Sequence, residues 1–257
     1  MIHPTAIIHP GAQLHESVRV GPYSVIDEHV TVGAGCELAP HVHLTGHTTI
    51  GAENRFHAGC VIGDAPQDLK YSCEPTRLII GERNLFREHV TIHRSNTPSE
   101  DTRIGSENFF MANSHVGHNS IIGNKAILAN GVLIAGHAMI GDGAFLAGNA
   151  VVHQFCRVGA MAMMQGCAGV SLDLPPFTIV RGINGMCGLN SVGLKRAGFS
   201  AKERSQLKKA YHAIFLSDDL LKDALEKARA EFTGVLAEQL IDFVATSQRG
   251  TCSHTKR

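Results

Sequence analysis

Residues 114–123 read SHVGHNSIIG, with His115 and His118 three apart and an amide, Asn119, directly after the second histidine. Imidazole titrates near neutrality, so it is the side chain best placed to take a proton from a hydroxyl group, and His118 is a candidate general base. Two more histidines follow, His137 in LIAGH and His153 in AVVHQF. Three imidazoles could instead form an open zinc site. Outward positions of a repeating fold are also polar by necessity, and histidine is one such choice. The residues alone leave all three readings open.

What must position these histidines is a rhythm of six. From Ile2 the chain carries Ile8, Leu14, Val20, Ile26, Val32, Leu38, Leu44, Ile50, Phe56 and Ile62 at that spacing. The rhythm resumes at Ile80, Phe86 and Ile92, and again from Ile104 to Val170. A period of six fits neither a helix nor an alternating strand; it marks a parallel β-helix in which each hexad is one short side of a coil. Coils stack at about 4.8 Å, so residues 18 apart become vertical neighbours. Val116, Ile134 and Val152 then share one face, and His118, His137 and His153 are expected along one edge, with Asn119 stacked against His137. The breaks near 63–79 and 93–103 read as loops extruded from the prism, and such loops tend to carry function.

After residue 177 the pattern changes. Ser200 and Glu203 form a capping-box pair, and Leu207, Ala210, Tyr211 and Ile214 follow at helical spacing. The expected organisation is a β-helix over 1–189 and an α-helical domain over 190–257. Lys+Arg and Asp+Glu balance at 23 each, so no global field recruits nucleic acid, and any charged partner must meet a local patch. Seven scattered cysteines with no CxxC pair suggest reduced thiols and the cytoplasm. No run approaches the roughly 20 apolar residues of a membrane span, and no secretory leader is evident.

The stretches QDLKYSCEPTR, REHVTIHR, SHVGHN, LIAGH, AVVHQFCRVGA, GCAGV and GLKRAGFS occur in an order and spacing that resemble the acyl-[acyl-carrier-protein]:UDP-N-acetylglucosamine O-acyltransferases over nearly the whole chain. The resemblance implies a mainly β fold, a left-handed parallel β-helix with a C-terminal α-helical domain, assembled as a homotrimer without metal or organic cofactor. The left hand comes from the resemblance; general crossover rules favour the opposite sense. It implies transfer of an (R)-3-hydroxyacyl group from acyl carrier protein to the glucosamine 3-hydroxyl, the first step of lipid A synthesis. Residue by residue, His118 matches the general base, Asn119 its neighbour, and Gly136 a backbone N–H that holds the thioester oxyanion. Gln67, Asp68, Lys70, His93, His115, His137, His153 and Gln154 match contacts to sugar or acyl chain. Asn190 and Arg196 match nucleotide contacts, the arginine fork suiting a diphosphate. Gly166, with Met163 beside it, matches the end of the acyl groove, where glycine leaves room for a long chain. Lys195, Arg196, Lys202, Arg204, Lys208 and Lys209 form a basic cluster suited to an acidic carrier protein.

Three positions depart from the family. Asn119 stands where an aspartate is usual, and Asn184 and Val192 stand where His and Glu are common. An amide fixes the imidazole tautomer but brings no negative charge, which makes a weaker base. That motivates an alternative acceptor, a 3-amino sugar nucleotide, whose nitrogen needs less help. A hexapeptide-type zinc carbonic anhydrase is a further alternative, although these hexads hold no partner carboxylate.

Overall fold

An inward aliphatic or aromatic side chain at every sixth position closes the backbone into a triangular prism, and the computed structural model describes residues 1–255. Its faces are sheets of nine, eight and eleven strands among the described residues, parallel except for one terminal hairpin in the third. Most strands are two residues long, such as His115–Val116 and Leu133–Ile134, with the second residue buried. Ile7 pairs with Val25, Gln13 with Thr31 and Arg19 with Glu37, so neighbours across coils lie eighteen apart in sequence. The same offset returns at the far end, where Val151 pairs with Gly169.

Between these ends the offset lengthens. Val61 pairs with Thr91, and Thr91 with His115, because chain leaves the prism twice. The excursions are shorter than the expected 63–79 and 93–103. Strands Val61–Asp64, Arg77–Ile80, Thr91–His93 and Asp101–Ile104 reach into those spans. Arg77 pairs with both His47 and Asp101, which satisfies backbone groups that would otherwise be stranded at the mouth of each excursion. The buried Asp101 carboxylate accepts from Arg77 Nε at 2.6 Å and also pairs with Arg103, pinning the return of the second excursion.

Two interior ladders lock the register. Phe56, Phe86 and Phe110 stack with ring centroids 4.6 and 4.8 Å apart. Asn54, Asn84 and Asn108 form the polar ladder: Asn84 N–H donates to Asn54 Oδ1 and Asn108 N–H to Asn84 Oδ1, each at 2.9 Å. Among the described residues no buried side-chain nitrogen or oxygen lacks a partner. At the corners, non-glycine residues take left-handed backbone, among them Asn119, His137 and Phe155 at φ 59°, 59° and 63°. The conformation is disfavoured for residues with a side chain. It is held here by corner-to-corner bonds, His137 N–H to His118 O at 2.9 Å and Phe155 N–H to Gly136 O at 3.2 Å.

The prism ends in an antiparallel hairpin, Thr178–Arg181 with Gly185–Leu189. Helices α1 (Ser191–Arg196), α2 (Ala201–Phe215), α3 (Leu221–Glu231) and α4 (Val235–Ala245) follow. The Ser200–Glu203 capping box is formed, and Leu207, Ala210, Tyr211 and Ile214 are the buried face of α2. Residues 190–257 are not helical throughout. Ser253–His254 returns as a strand beside Gly185 and Met186, and residues 256 and 257 lie outside the described residues. Arg157 fastens the helices to the prism: its Nε donates to the buried Asp173 at 2.8 Å, and its guanidinium lies 4.2 Å over the Phe243 ring of α4.

Phe86 stacks on both neighbours, so Phe86→Ala removes packing on two coils at once. A loss of about 3–5 kcal/mol is expected from such a truncation, read as a lower denaturation midpoint, with Phe86→Leu recovering much of it.

Candidate active site

The strand His115–Val116 belongs to the nine-stranded sheet and leads into a corner at Gly117, His118 and Asn119. Close approach of two coils decides residue size here. A Cβ on Gly117 would lie 2.8 Å from Gly136 N, and one on Gly136 would lie 2.8 Å from His118 Nε2. Glycine at 136 is therefore what lets the imidazole of His118 rest over the next coil. Among the described residues the Gly136 N–H meets no acceptor.

The orientation of the ring follows from its neighbour. Asn119 is buried, and its Nδ2 donates to Ser95 Oγ and to Glu100 Oε2, both at 2.8 Å. That places Oδ1 on the other side, where it accepts from Asn96 N–H at 3.0 Å and faces His118 Nδ1 at 2.8 Å. Asn119 N–H donates to Thr102 Oγ1 at 2.7 Å. Because Oδ1 can only accept, Nδ1 of His118 carries a proton, and in the neutral ring Nε2 keeps the free lone pair. Glu100 was missed in the hexad pattern: it sits in the second excursion, which has no period to reveal what it faces.

A cleft of about 610 Å³ opens here, lined by Gln67, His93, His115, His118, Gly136 and Gln154 together with the apolar Leu133 and Val151. His93 is buried and meets His115 edge-on at 4.8 Å. Burial, followed by the charges of His93 and His118, pushes the His115 imidazole down to about 4. Its Nδ1 lies 2.7 Å from Thr91 Oγ1. Burial likewise lowers His93 and His137. Asp68 is drawn below the ordinary carboxylate range by the Lys70 N–H and then by Asn96, whose Nδ2 donates to it at 2.7 Å. The excursion residues Asp68 and Asn96 thus join the corner residues in one polar network.

His137 lies edge-on to His118 with ring centroids 5.2 Å apart. The three-histidine edge expected from the sequence is not formed. His137 stacks on Phe155 at 4.6 Å, whereas His153 is exposed and turns its Nδ1 to Gln154 O. The offset of eighteen explains this, since it aligns 155 with 137 and 119 but aligns 153 with Ala135 and Gly117. Lys70 is exposed on the first excursion. Asn190 caps α1, accepting from Gly193 N–H and donating to Met161 O, and Arg196 is exposed in the last turn. Met163 lies in the eleven-stranded sheet and Gly166 just beyond it, at a different corner of the prism from His118. A Cβ at Gly166 would meet nothing nearer than Gly148 O at 3.6 Å, so the position is open within one chain. Asn184, one of the departures, locks a turn: its Oδ1 accepts from Ser171 N–H at 2.8 Å and its Nδ2 donates to Ser171 Oγ. Val192 is exposed at the start of α1. A second groove, about 730 Å³, lies on the N-terminal coils around Arg19, Glu37 and Phe56, away from this chemistry. No three His, Cys, Asp or Glu side chains among the described residues converge as a metal-ligand set.

A prism built from six-residue repeats places the chain among the hexapeptide-repeat proteins. Residues 101–136 match the family described as bacterial transferase hexapeptide (six repeats), and residues 173–252 match the second domain of UDP-N-acetylglucosamine O-acyltransferase. The acyl-[acyl-carrier-protein]–UDP-N-acetylglucosamine O-acyltransferase of Herminiimonas arsenicoxydans is 45% identical over 257 residues, covering 97% of this chain and 98% of that one. The enzyme of the same name from Anaeromyxobacter sp. (strain Fw109-5) is 44% identical over 253 residues, covering 97% and 98%. The crystal structure of the Francisella novicida UDP-N-acetylglucosamine acyltransferase superposes with a TM-score of 0.95 at 35% identity, covering 100% of this chain and 95% of that one. This chain belongs to the acyl-[acyl-carrier-protein]–UDP-N-acetylglucosamine O-acyltransferase family, and it is an acyltransferase with that family's left-handed β-helix.

The lowered histidines carry a stability consequence with a definite sign. Their imidazoles lose protons more readily in the folded protein than in the unfolded chain, so their stabilisation is full above about pH 6.5 and is lost as pH falls, for His115 down to about 4. His115→Gln, which removes the proton site, is expected to flatten the dependence of the melting temperature on pH across that window. An unchanged slope would show that His115 is not among the groups responsible.

Proposed function

We propose that this chain transfers an (R)-3-hydroxyacyl group from acyl carrier protein to the 3-hydroxyl of UDP-N-acetylglucosamine, the first step of lipid A biosynthesis, with His118 as general base. The observation that carries the base assignment is the tautomer: Asn119 Oδ1 holds the Nδ1 proton, so Nε2 faces Gly136 and the cleft as an acceptor. The sugar oxygen attacks the thioester carbonyl carbon while its proton passes to Nε2. The C–O bond forms, the C–S bond breaks, and the imidazolium returns the proton to the departing thiolate. The Gly136 N–H is placed to stabilise the oxyanion between these steps, an effect commonly worth about 3 kcal/mol of barrier. Leu133 and Val151, outward on the face beside His115, give the acyl chain an apolar surface.

His118 and the pair Gly166 and Met163 stand at different corners of one prism. In this reading a neighbouring copy closes the groove between them, as in the expected homotrimer. Asn190 and Arg196 reach the nucleotide from such a copy in this reading. The exposed basic residues of α1 and α2, among them Lys195, Lys202 and Lys208, suit an acidic carrier protein. No helix among the described residues is long and apolar enough to cross a membrane, and a cytoplasmic enzyme fits the reduced cysteines.

The hydroxyl acceptor is preferred to a 3-amino acceptor because Glu100 stands one amide away from the base. A competition assay between UDP-N-acetylglucosamine and its 3-amino counterpart tests this; strong preference for the amine would reverse it. His118→Ala is expected to lower kcat by about a hundredfold to ten-thousandfold, the usual range for a lost acid-base group. Asn119→Asp is expected to stay within about tenfold of the parent, since a carboxylate also accepts the Nδ1 proton. Full activity of His118→Ala would remove the base assignment. Carrier proteins loaded with acyl chains of graded length, assayed in the same way, read out the depth of the groove.

A further inference from the structure

The residue after the base is an amide where negative charge would strengthen the imidazole, yet that amide is caged from every side. Its Nδ2 donates to Ser95 Oγ and Glu100 Oε2, its Oδ1 accepts from Asn96 N–H, and its own N–H donates to Thr102. Three of these four partners come from the second excursion, 94–100, which no hexad requires. Glu100 is the only one of the four carrying charge. Its carboxylate is more than half exposed, and its Oε2 also lies 3.7 Å from His137 Nδ1. At that exposure a through-space charge effect is screened by solvent. The hydrogen bond to the buried Asn119 amide is different, because a carboxylate acceptor polarises the amide and makes its oxygen a stronger acceptor in turn.

We propose that Glu100 is a positioning residue for the acyl transfer: through the Asn119 side chain it fixes the orientation of His118 and delivers the negative polarisation that the amide lacks by itself. The proposal rests on the reading of His118 as the base. Two effects combine. With Nδ2 tied to Glu100 and Ser95, the amide cannot flip, and a flipped amide would present N–H to Nδ1 and force the proton onto Nε2, the atom that must be free. The polarised Oδ1 also favours the imidazolium that forms as the sugar hydroxyl is deprotonated.

The test uses the full-length enzyme with acyl carrier protein substrate and UDP-N-acetylglucosamine, and compares Glu100→Gln in two backgrounds. In the parent, Glu100→Gln is expected to lower kcat by about tenfold with KM for the sugar nucleotide changed by less than about twofold, in line with couplings between residues of one network. In Asn119→Asp, where residue 119 carries the charge itself and no longer donates to Glu100, the same substitution is expected to be neutral or to raise kcat by relieving repulsion between two carboxylates. The activity of that double variant also shows that Gln is compatible with the fold.

The pH profile gives a second readout. His118 is faced by His137 from the next coil, Asp68 from the first excursion, His93 and His115 from the nine-stranded sheet and, through Asn119, Glu100. Only the last changes in Glu100→Gln. Removing the negative group disfavours the imidazolium, so the acidic limb of kcat moves to lower pH while the plateau falls. Equal losses in both backgrounds would assign Glu100 a merely structural role in the excursion and overturn the proposal. So would an unchanged kcat in Glu100→Gln, and if His118→Ala is inactive in the same assay, the base assignment survives that outcome. Full activity of His118→Ala would remove both.

Discussion

The hydrogen bonds between successive coils determine which side chains of this protein can meet. Val116 pairs with Ile134, and Ile134 with Val152, so the prism residues near the His118 corner are placed by one offset. A slip by one residue would turn each inward side chain outward. The phenylalanine and asparagine ladders make that slip costly, since both need the same residue type at the same height in three coils. His118 lies over Gly136 as a result of packing that is remote from it. The offset also keeps the corner residues in the left-handed conformation, because each corner N–H finds its carbonyl only when the coil below bends in the same way.

A strictly periodic prism can offer only one outward residue per position per coil, which is a poor way to surround a catalytic group. The two excursions remove that limit. They leave the prism at paired strands and return to paired strands, so the frame is undisturbed, while Asp68, Ser95, Asn96 and Glu100 approach the His118 corner from the side. The hydrogen bonds converge on Asn119: Asn96 donates to Asp68 and to Asn119 Oδ1, which His118 Nδ1 also faces, and Asn119 Nδ2 donates to Ser95 and Glu100. A buried polar cluster is costly when partly satisfied and rigid when complete. Here it is complete, which is what allows a loop residue to orient a residue of the prism.

The six-residue rhythm, the two breaks and the Ser200 capping box were all legible because each has a fixed spacing with a physical cause. The contact of His118 with Asn119 was expected from the family resemblance, and the two side chains do meet at 2.8 Å. His153 was misplaced because nearness to one edge is too coarse: the position within the hexad decides which way a side chain leaves the corner, and Phe155, not His153, occupies the column of His137. Glu100 was invisible because an aperiodic segment carries no record of what it faces. The strand Ser253–His254 was invisible because two residues are too few to form a pattern, and its partner is set by where the preceding helices deliver the chain.

The substitution at 119 looks different once the excursion is included. Taken alone, an amide after the proposed base suggests an acceptor that needs little activation. An amide whose oxygen is turned to the imidazole and whose nitrogen is held by a carboxylate performs the orienting part of an aspartate's task in full and part of its electrostatic task. It also keeps residue 119 neutral, which matters in a corner where Asp68 already brings one carboxylate close to His118 and His137. Two adjacent carboxylates beside Asp68 would raise each other's proton affinity. Placing the charge on Glu100, at the solvent edge, avoids burying it. The hydrogen bond through the buried amide retains its influence on the ring. With His118 as the proposed base, such an arrangement suits deprotonation of a weakly acidic hydroxyl, and an amide at 119 fits a carboxylate supplied by the second excursion.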